Sequence, residues 1–247
     1  YEISACLVGS EMCIRDRAVN GTYYAYIIGF NHNSSKEGNG ITFGTFKTAL
    51  SGGTDICLVD GYYTNYSTNG TKYFNMNHSS NTNAGGWKGC DLRYDVLGST
   101  NTNDGDATAT TATNPVANTL MAALPSDLRA VMQPMTIYTD NTGGGSDNAS
   151  YVTKTTDYLP LLAEYEIFGT RSYANSAEKN YQAQYAYYSA GNSKVKYRHS
   201  ATGSTAWWWE RSPSCGSSGS FCRVNAGGSA NNDYAGYSYG VAPAFRV

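Results

Sequence analysis

The chain has 247 residues, of which 15% are charged, and a net charge of −2, so it lacks the basic footprint that nucleic acid or an anionic membrane would need. Its length suits one large domain or two small ones and allows a sizeable core, while no apolar run approaches bilayer-spanning length. Tyr (22) far outnumbers Phe (7), which points to large half-buried surfaces rather than an oily interior.

Residues 1–17, YEISACLVGSEMCIRDR, are interrupted by Glu2 and Glu11 and form no apolar core, so they are not a signal peptide. The stretch resembles the conceptual translation of a sequencing-library adapter, with Ser4 and Ala5 in its variable index and Cys6 to Arg17 following its constant part. It is expected to stand outside the fold, with the natural N-terminus missing and residues 18–247 forming a single domain. Cys57, Cys90, Cys215 and Cys222 then remain, without CxxC or Cys/His pairing at zinc spacing. A Cys215–Cys222 bridge across the short Gly/Ser loop, a Cys57–Cys90 bridge, and small buried thiols all stay open.

Tyr23–Phe30 alternates as a strand, residues 31–40 form a turn-rich connection, and Ile41–Phe46 is a second strand with Ile41, Phe43 and Thr45 on one face. Ile56–Val59 is a third strand, and Tyr73–Phe74 is an edge segment in an Asn-rich region. Trp87 to Gly98 reads as a short helix closed by Gly98. Residues 99–113 form a surface loop. Asn101 to Asp106 has the outline of a calcium loop, but its repeat is out of step and Ala112 stands where a bidentate Glu is needed. Asn114 and Pro115 are expected to open a helix to Ala123, which restarts at Ser126 with a core stripe through Leu120, Leu124, Leu128, Val131 and Met132.

Met135–Tyr138 and Ser150–Lys154 flank a Gly-rich loop. Gly143 to Gly145 lacks the lysine of a phosphate cradle, so it reads as a flexible hairpin tip. Within Tyr158–Phe168, Glu164 and Glu166 are expected to hold Arg or backbone donors rather than form a catalytic pair. Asn175 caps a helix ending near Gly191, with Tyr181, Tyr185 and Tyr188 along one face. That stripe either packs a half-wet helix on its sheet or meets sugar rings.

Residues 207–247 begin with three tryptophans and close on the apolar run Val241–Phe245. Between these lie Ser, Gly, Asn, Tyr and Ala with hardly an aliphatic side chain. Such a segment cannot offset its own ordering entropy, so the flanking anchors must hold it. Tyr, Ser, Gly and Asn are also the residues of binding loops. Trp208-Trp-Glu-Arg-Ser-Pro213, Phe221-Cys-Arg-Val-Asn225 with Gly228, and Tyr239-Gly-Val-Ala-Pro-Ala-Phe245 resemble the C-terminal pattern of the DUF6273 family, with weaker echoes back to Tyr23. Glu210 stands where that pattern carries an apolar residue, and Ala242 where arginine is common. Trp87 to Arg93, with Cys90 in place of a serine, and Tyr158–Phe168 resemble two further elements of the family, which implies that Trp87 and Arg93 are framework residues and that Tyr158–Phe168 is a strand running into a turn. The resemblance implies an α+β, C-type-lectin-like fold: small twisted antiparallel sheets, a few short flanking helices and long irregular loops. It is similar to formylglycine-generating enzymes and to retroelement-diversified tropism proteins of phages and bacteria.

His32, His78 and His199 share no spacing, and GxSxG, HExxH and nucleotide-binding glycine patterns are missing. The reading is therefore a non-enzymatic ligand- or receptor-binding domain, without metal or cofactor, on a phage tail or bacterial surface. Its partner is a cell-surface protein or a glycan, with no nucleic acid and no membrane insertion, and a homo-oligomer is allowed. The ligand-binding residues are expected to be Ser217, Ser218, Ser220, Arg223, Asn225, Ser229, Asn231, Asn232, Asp233, Tyr234, Tyr237 and Tyr239. Trp208, Trp209, Arg211, Phe221, Val224, Val241, Pro243 and Phe245 form the frame. The Asn, Ser, Asp, Tyr, Gly and Ala content matches what scrambled adenines in AAC or AAT codons yield, so the face is expected to be diversified. A structural or assembly module with a solvated polar surface is the alternative, and an enzyme related to the formylglycine-generating fold is third.

Overall fold

The computed structural model describes residues 11–16, 21–59, 74–78, 80–199 and 201–247, with side chains from Tyr23 onward. It is an α+β arrangement of three sheets joined by short helices and long irregular connections. In chain order the strands are β1 (Glu11–Asp16), β2 (Gly21–Phe30), β3 (Ile41–Lys47), β4 (Asp55–Ile56), β5 (Met135–Asp140), β6 (Val152–Asp157), β7 (Lys196–Tyr197), β8 (Thr205–Ala206), β9 (Trp208–Pro213), β10 (Ser220–Val224), β11 (Ala230–Tyr234) and β12 (Phe245–Arg246). Among the described residues, no helix is long and apolar enough to cross a membrane. Tyr73 lies outside the described residues.

The main sheet runs β1-β2-β3-β4-β7-β8, with β12 also paired to β3. The last residues of the chain thus close on its first hairpin: Phe245 pairs with Phe43, and their rings stack at 5.1 Å. One buried face was expected for β3, but both are covered. Phe43 and Phe46 enter the larger core cluster, while Ile28 of β2 joins Tyr185, Tyr188 and Trp208 in a second cluster. Residues 11–16, set apart from the fold on sequence, pair with β2 from Glu11 opposite Tyr26 to Asp16 opposite Gly21. An open strand edge offers main-chain donors and acceptors to a segment of any sequence.

Several connections differ from the sequence expectation. Asn114 follows a helix (Ala109–Thr113) instead of opening one, and the next helix, Leu120–Ala123, is capped by Thr119, whose Oγ1 accepts from Ala122 N–H at 3.3 Å. The segment after Pro160 becomes a helix, Glu164–Phe168, because the Glu166 carboxylate accepts the Ala163 N–H at 3.0 Å and Gly169 takes φ 69° to end it. The single helix expected from Asn175 is broken into Ser176–Asn180 and Ala186–Ser189. Between them Tyr185 N–H leaves the helical ladder to donate to the Glu166 carbonyl at 3.0 Å. Tyr185 and Tyr188 are buried and Tyr181 stacks on Tyr138 at 4.9 Å, so this tyrosine stripe is packing.

The Gly-rich connection between β5 and β6 is a docked loop, which corrects the flexible tip expected from composition. Gly143 N–H donates to Asp140 Oδ1 at 2.8 Å and Gly144 N–H to Asn83 Oδ1 at 2.8 Å. Gly143 has φ 67°, and a Cβ there would lie 1.8 Å from the Asn83 carbonyl oxygen. Gly143→Ala is therefore expected to cost on the order of 2 kcal/mol, combining a left-handed conformation with a backbone clash. A lowered urea midpoint with an unchanged slope checks this, and an unaltered midpoint contradicts it.

Candidate ligand-binding face

The frame begins at β9, where every residue is buried. Trp208 and Trp209 point to opposite sides and each finds a carbonyl: Trp208 Nε1 donates to Lys194 at 3.0 Å and Trp209 Nε1 to Phe74 at 3.0 Å. An indole buried whole needs such a partner. Arg211 is held by Glu166 through two bonds of 2.5 and 2.6 Å, and it also donates to Thr139 Oγ1 and the Leu161 carbonyl. Glu164 accepts the N–H groups of Ser172, Tyr173 and Ala174. These two acids hold an arginine and backbone donors, as their sequence context suggests.

Glu178 accepts from Asp140 N–H and Ser212 Oγ, yet burial pushes its acid up to about 7. Glu210 has no solvent exposure, and among the described residues neither of its carboxylate oxygens has a hydrogen-bond partner. Burial first, then the negative charges of Glu164 and Glu178, hold its carboxyl well above the usual carboxylate range, which favours the neutral acid.

β9 pairs with β10, which pairs with the edge strand β11. The outward N–H groups of β11 are those of Ala230, Asn232 and Tyr234, because Ala235 N–H points inward to the Gly219 carbonyl. Two of these donors are taken locally: Asn232 N–H by Asn231 Oδ1 at 2.7 Å and Tyr234 N–H by Asp233 Oδ1 at 2.9 Å. The Tyr234 carbonyl accepts from Tyr237 N–H. This edge is blocked over Asn232–Tyr234, largely by its own side chains.

The other oxygen of Asp233 joins the edge to the tryptophans. It accepts from Tyr239 Oη at 2.6 Å and Arg223 Nε at 3.2 Å, with Arg223 Nη2 at 3.1 Å. The Arg223 guanidinium lies over the rings of Trp207 (4.3 Å) and Tyr239 (5.2 Å), a cation–π arrangement that occupies its remaining face. Rings continue outward from there: Tyr239 to Trp207 at 5.3 Å, Tyr239 to Tyr237 at 6.3 Å, and Tyr237 to Tyr234 at 5.8 Å, each pair steeply tilted. Trp207 (43% exposed), Tyr234 (48%) and Tyr237 (48%) emerge at the surface as one aromatic ridge. The tail is fixed behind it by Tyr239 N–H to Phe74 and Gly240 N–H to Trp207, and a Cβ on Gly240 would meet Cys57 Sγ at 2.3 Å.

The twelve residues expected on this surface divide into two sorts. Ser220 and Arg223 are buried, at 5% and 6% exposure. Both sit on the central strand β10, where sheet neighbours and the rings cover them, so neither is displayed. Asn225 spends its Oδ1 on the N–H groups of Gly227 and Ser229, Asn232 donates to Ser214 Oγ, and Ser217 shares a bond with Ser220. Asn231, Asp233 and Tyr239 perform the edge and ring work above. Ser218 and Ser229 are exposed, and with Tyr234 and Tyr237 they leave their side-chain hydroxyls free of intramolecular partners among the described residues.

Sequence reasoning counted Trp207 only as an anchor. Strand alternation could have found it, since Trp207 and Trp209 both meet Tyr239 across one face. It also passed over Asn83, whose Nδ2 donates to the Ser214, Ser217 and Ser220 carbonyls, and Asn81, which accepts from Gly236 N–H. Both lie in an Asn-rich run with no periodicity to mark them. Cys57, Cys90, Cys215 and Cys222 are all free thiols. Cys215 is half-buried with Arg171 Nη1 at 3.5 Å, and Cys222 is fully enclosed, its thiol pushed up by burial.

The family model described as a domain of unknown function, DUF6273, matches residues 65–247. No curated protein and no solved structure matches the chain.

Proposed function

We propose that this chain, which belongs to the DUF6273 family, is a non-enzymatic ligand-binding domain whose partner meets the ridge of Trp207, Tyr234 and Tyr237. One observation carries the reading. Three half-exposed aromatic rings, in contact through Tyr239, stand on a frame of fully buried tryptophans. Exposed large rings on a rigid base are the kind of surface that partners anchor to. A C-type-lectin-like arrangement fits the same picture, as do display on a phage tail or bacterial surface and diversification of this face by a retroelement. Diversification would fall on Ser218, Ser229, Tyr234 and Tyr237, where a new side chain breaks no hydrogen bond. A neighbouring reverse transcriptase and a near-copy of this coding stretch differing at adenines would support it, and even variation along related genes would remove it.

A structural module is the second reading, favoured by the number of Asn, Ser and Asp side chains that brace the turns. Capture by target cells separates the two. Tyr234→Ala with Tyr237→Ala is expected to reduce capture by about tenfold or more, the loss of roughly 1.4 kcal/mol or more at an anchor. The melting temperature should stay within a few degrees, because both rings are half in solvent. Equal capture by parent and variant would favour the module.

A further inference from the structure

We infer that the ridge takes an uncharged carbohydrate, an inference that rests on the binding reading above and specifies its ligand. The segment from Trp207 to Val247 carries five formally charged side chains, Glu210, Arg211, Arg223, Asp233 and Arg246. Glu210, Arg211 and Arg246 are buried. Arg223 and Asp233 meet each other at 3.1 Å, and the guanidinium is covered by the rings of Trp207 and Tyr239. Arg223 Nη1, which has no hydrogen-bond partner among the described residues, is itself enclosed. Among residues 207–247, therefore, no unpaired charge is presented to a ligand, so this segment offers neither an anion nor a cation its counter-ion.

What the ridge does present is apolar ring surface beside free hydroxyls. The planes of Tyr234 and Tyr237 meet at 83° and those of Tyr237 and Tyr239 at 80°, which makes stepped notches rather than a flat plate. A notch bounded by two perpendicular rings suits a compact saturated ring, whose C–H faces pack on the aromatic faces while its hydroxyls reach Tyr234 Oη, Tyr237 Oη and Ser218. An extended peptide is disfavoured by the edge itself. Of the outward N–H groups of β11, those of Asn232 and Tyr234 are already taken by Asn231 and Asp233, which leaves Ala230 N–H alone for strand addition. The exposed large apolar side chains of residues 207–247 are Trp207, Tyr234 and Tyr237, without an aliphatic among them.

The test is an array of immobilised neutral polysaccharides (mannan, galactan, chitin oligomers), acidic ones (hyaluronan, polysialic acid, heparin) and surface proteins. It is probed with the whole chain and with the Tyr234→Ala/Tyr237→Ala variant. The expected result is capture on at least one neutral glycan, lost about tenfold in the variant, and changing by less than roughly twofold between ~0.05 and ~0.5 M NaCl because no ion pair is screened. Capture by acidic glycans or proteins alone, lost in the variant, overturns the ligand class and leaves the face standing. Neutral-glycan capture that the variant retains overturns the face itself. No capture by any neutral glycan overturns the inference.

Discussion

Glu210→Leu is expected to raise the unfolding free energy at pH 8 by on the order of 1–3 kcal/mol, since it removes a buried acid whose oxygens are unpartnered. The Glu210 carboxyl is enclosed on β9 and pushed toward its protonated form by burial and by the charges of Glu164 and Glu178. Its folded-state pKa lies above its unfolded one, so the native state binds the extra proton. The stability this contributes is fully present below the unfolded carboxylate range and is lost as pH rises toward the folded value. Glu178, pushed up to about 7, and Glu37, pushed up to about 8, run in the same direction. Each such group adds a slope of about 1.4 kcal/mol per pH unit across its own window. His32, lowered by burial, runs the other way below its usual range. The parent protein should therefore be more stable near pH 5 than near pH 8. Urea melts of parent, Glu210→Leu and Glu210→Gln at both values decide it. Glu210→Leu should narrow the gap between the two pH values, and a parent profile rising from pH 5 to pH 8 would refute the account.

What could be read from the sequence followed the range over which each interaction acts. Strand β2, the closing role of Gly98, the helix start at Ser126 and the docking of Val241–Phe245 rest on local periodicity or residue chemistry, and they were legible. The docked state of Gly143 to Gly145 was not, because it depends on Asn83 about sixty residues away in an aperiodic run. The break near Tyr185 was hidden for the same reason: its N–H goes to Glu166, and no local propensity announces that bond. On the candidate face, composition identified the segment correctly as surface but could not separate Tyr234 and Tyr237, which face solvent, from Arg223 and Ser220, which face in. That division is set by the middle position of β10, a fact of pairing and not of residue type.

Arg211→Met is expected to cost on the order of 3–5 kcal/mol, because it leaves the Glu166 carboxylate charged, enclosed and without its cation. Glu166 keeps only the Ala163 N–H, while Thr139 Oγ1 and the Leu161 carbonyl each lose a donor. Arg211 links β5, residue 161 and the helix Glu164–Phe168 to β9, and Leu161 in turn bridges to Pro243 of the closing tail. Its loss therefore loosens the base on which the aromatic ridge stands. The double variant Arg211→Met/Glu166→Leu removes the stranded charge and should recover most of the deficit, since a matched apolar pair is often as stable as a buried ion pair. Denaturant melts of both variants measure this directly. Equal losses in the single and double variants would mean that the geometry of the guanidinium, rather than its charge, secures the frame. Near-parental stability in Arg211→Met would mean that the frame does not depend on this pair. Capture assays then connect frame to face: Glu210→Leu leaves every ring of the ridge in place and should bind as the parent does, whereas Arg211→Met should lose binding in step with folded population. Full binding by a destabilised Arg211→Met at temperatures where it is largely unfolded would show that the ridge does not need the frame beneath it.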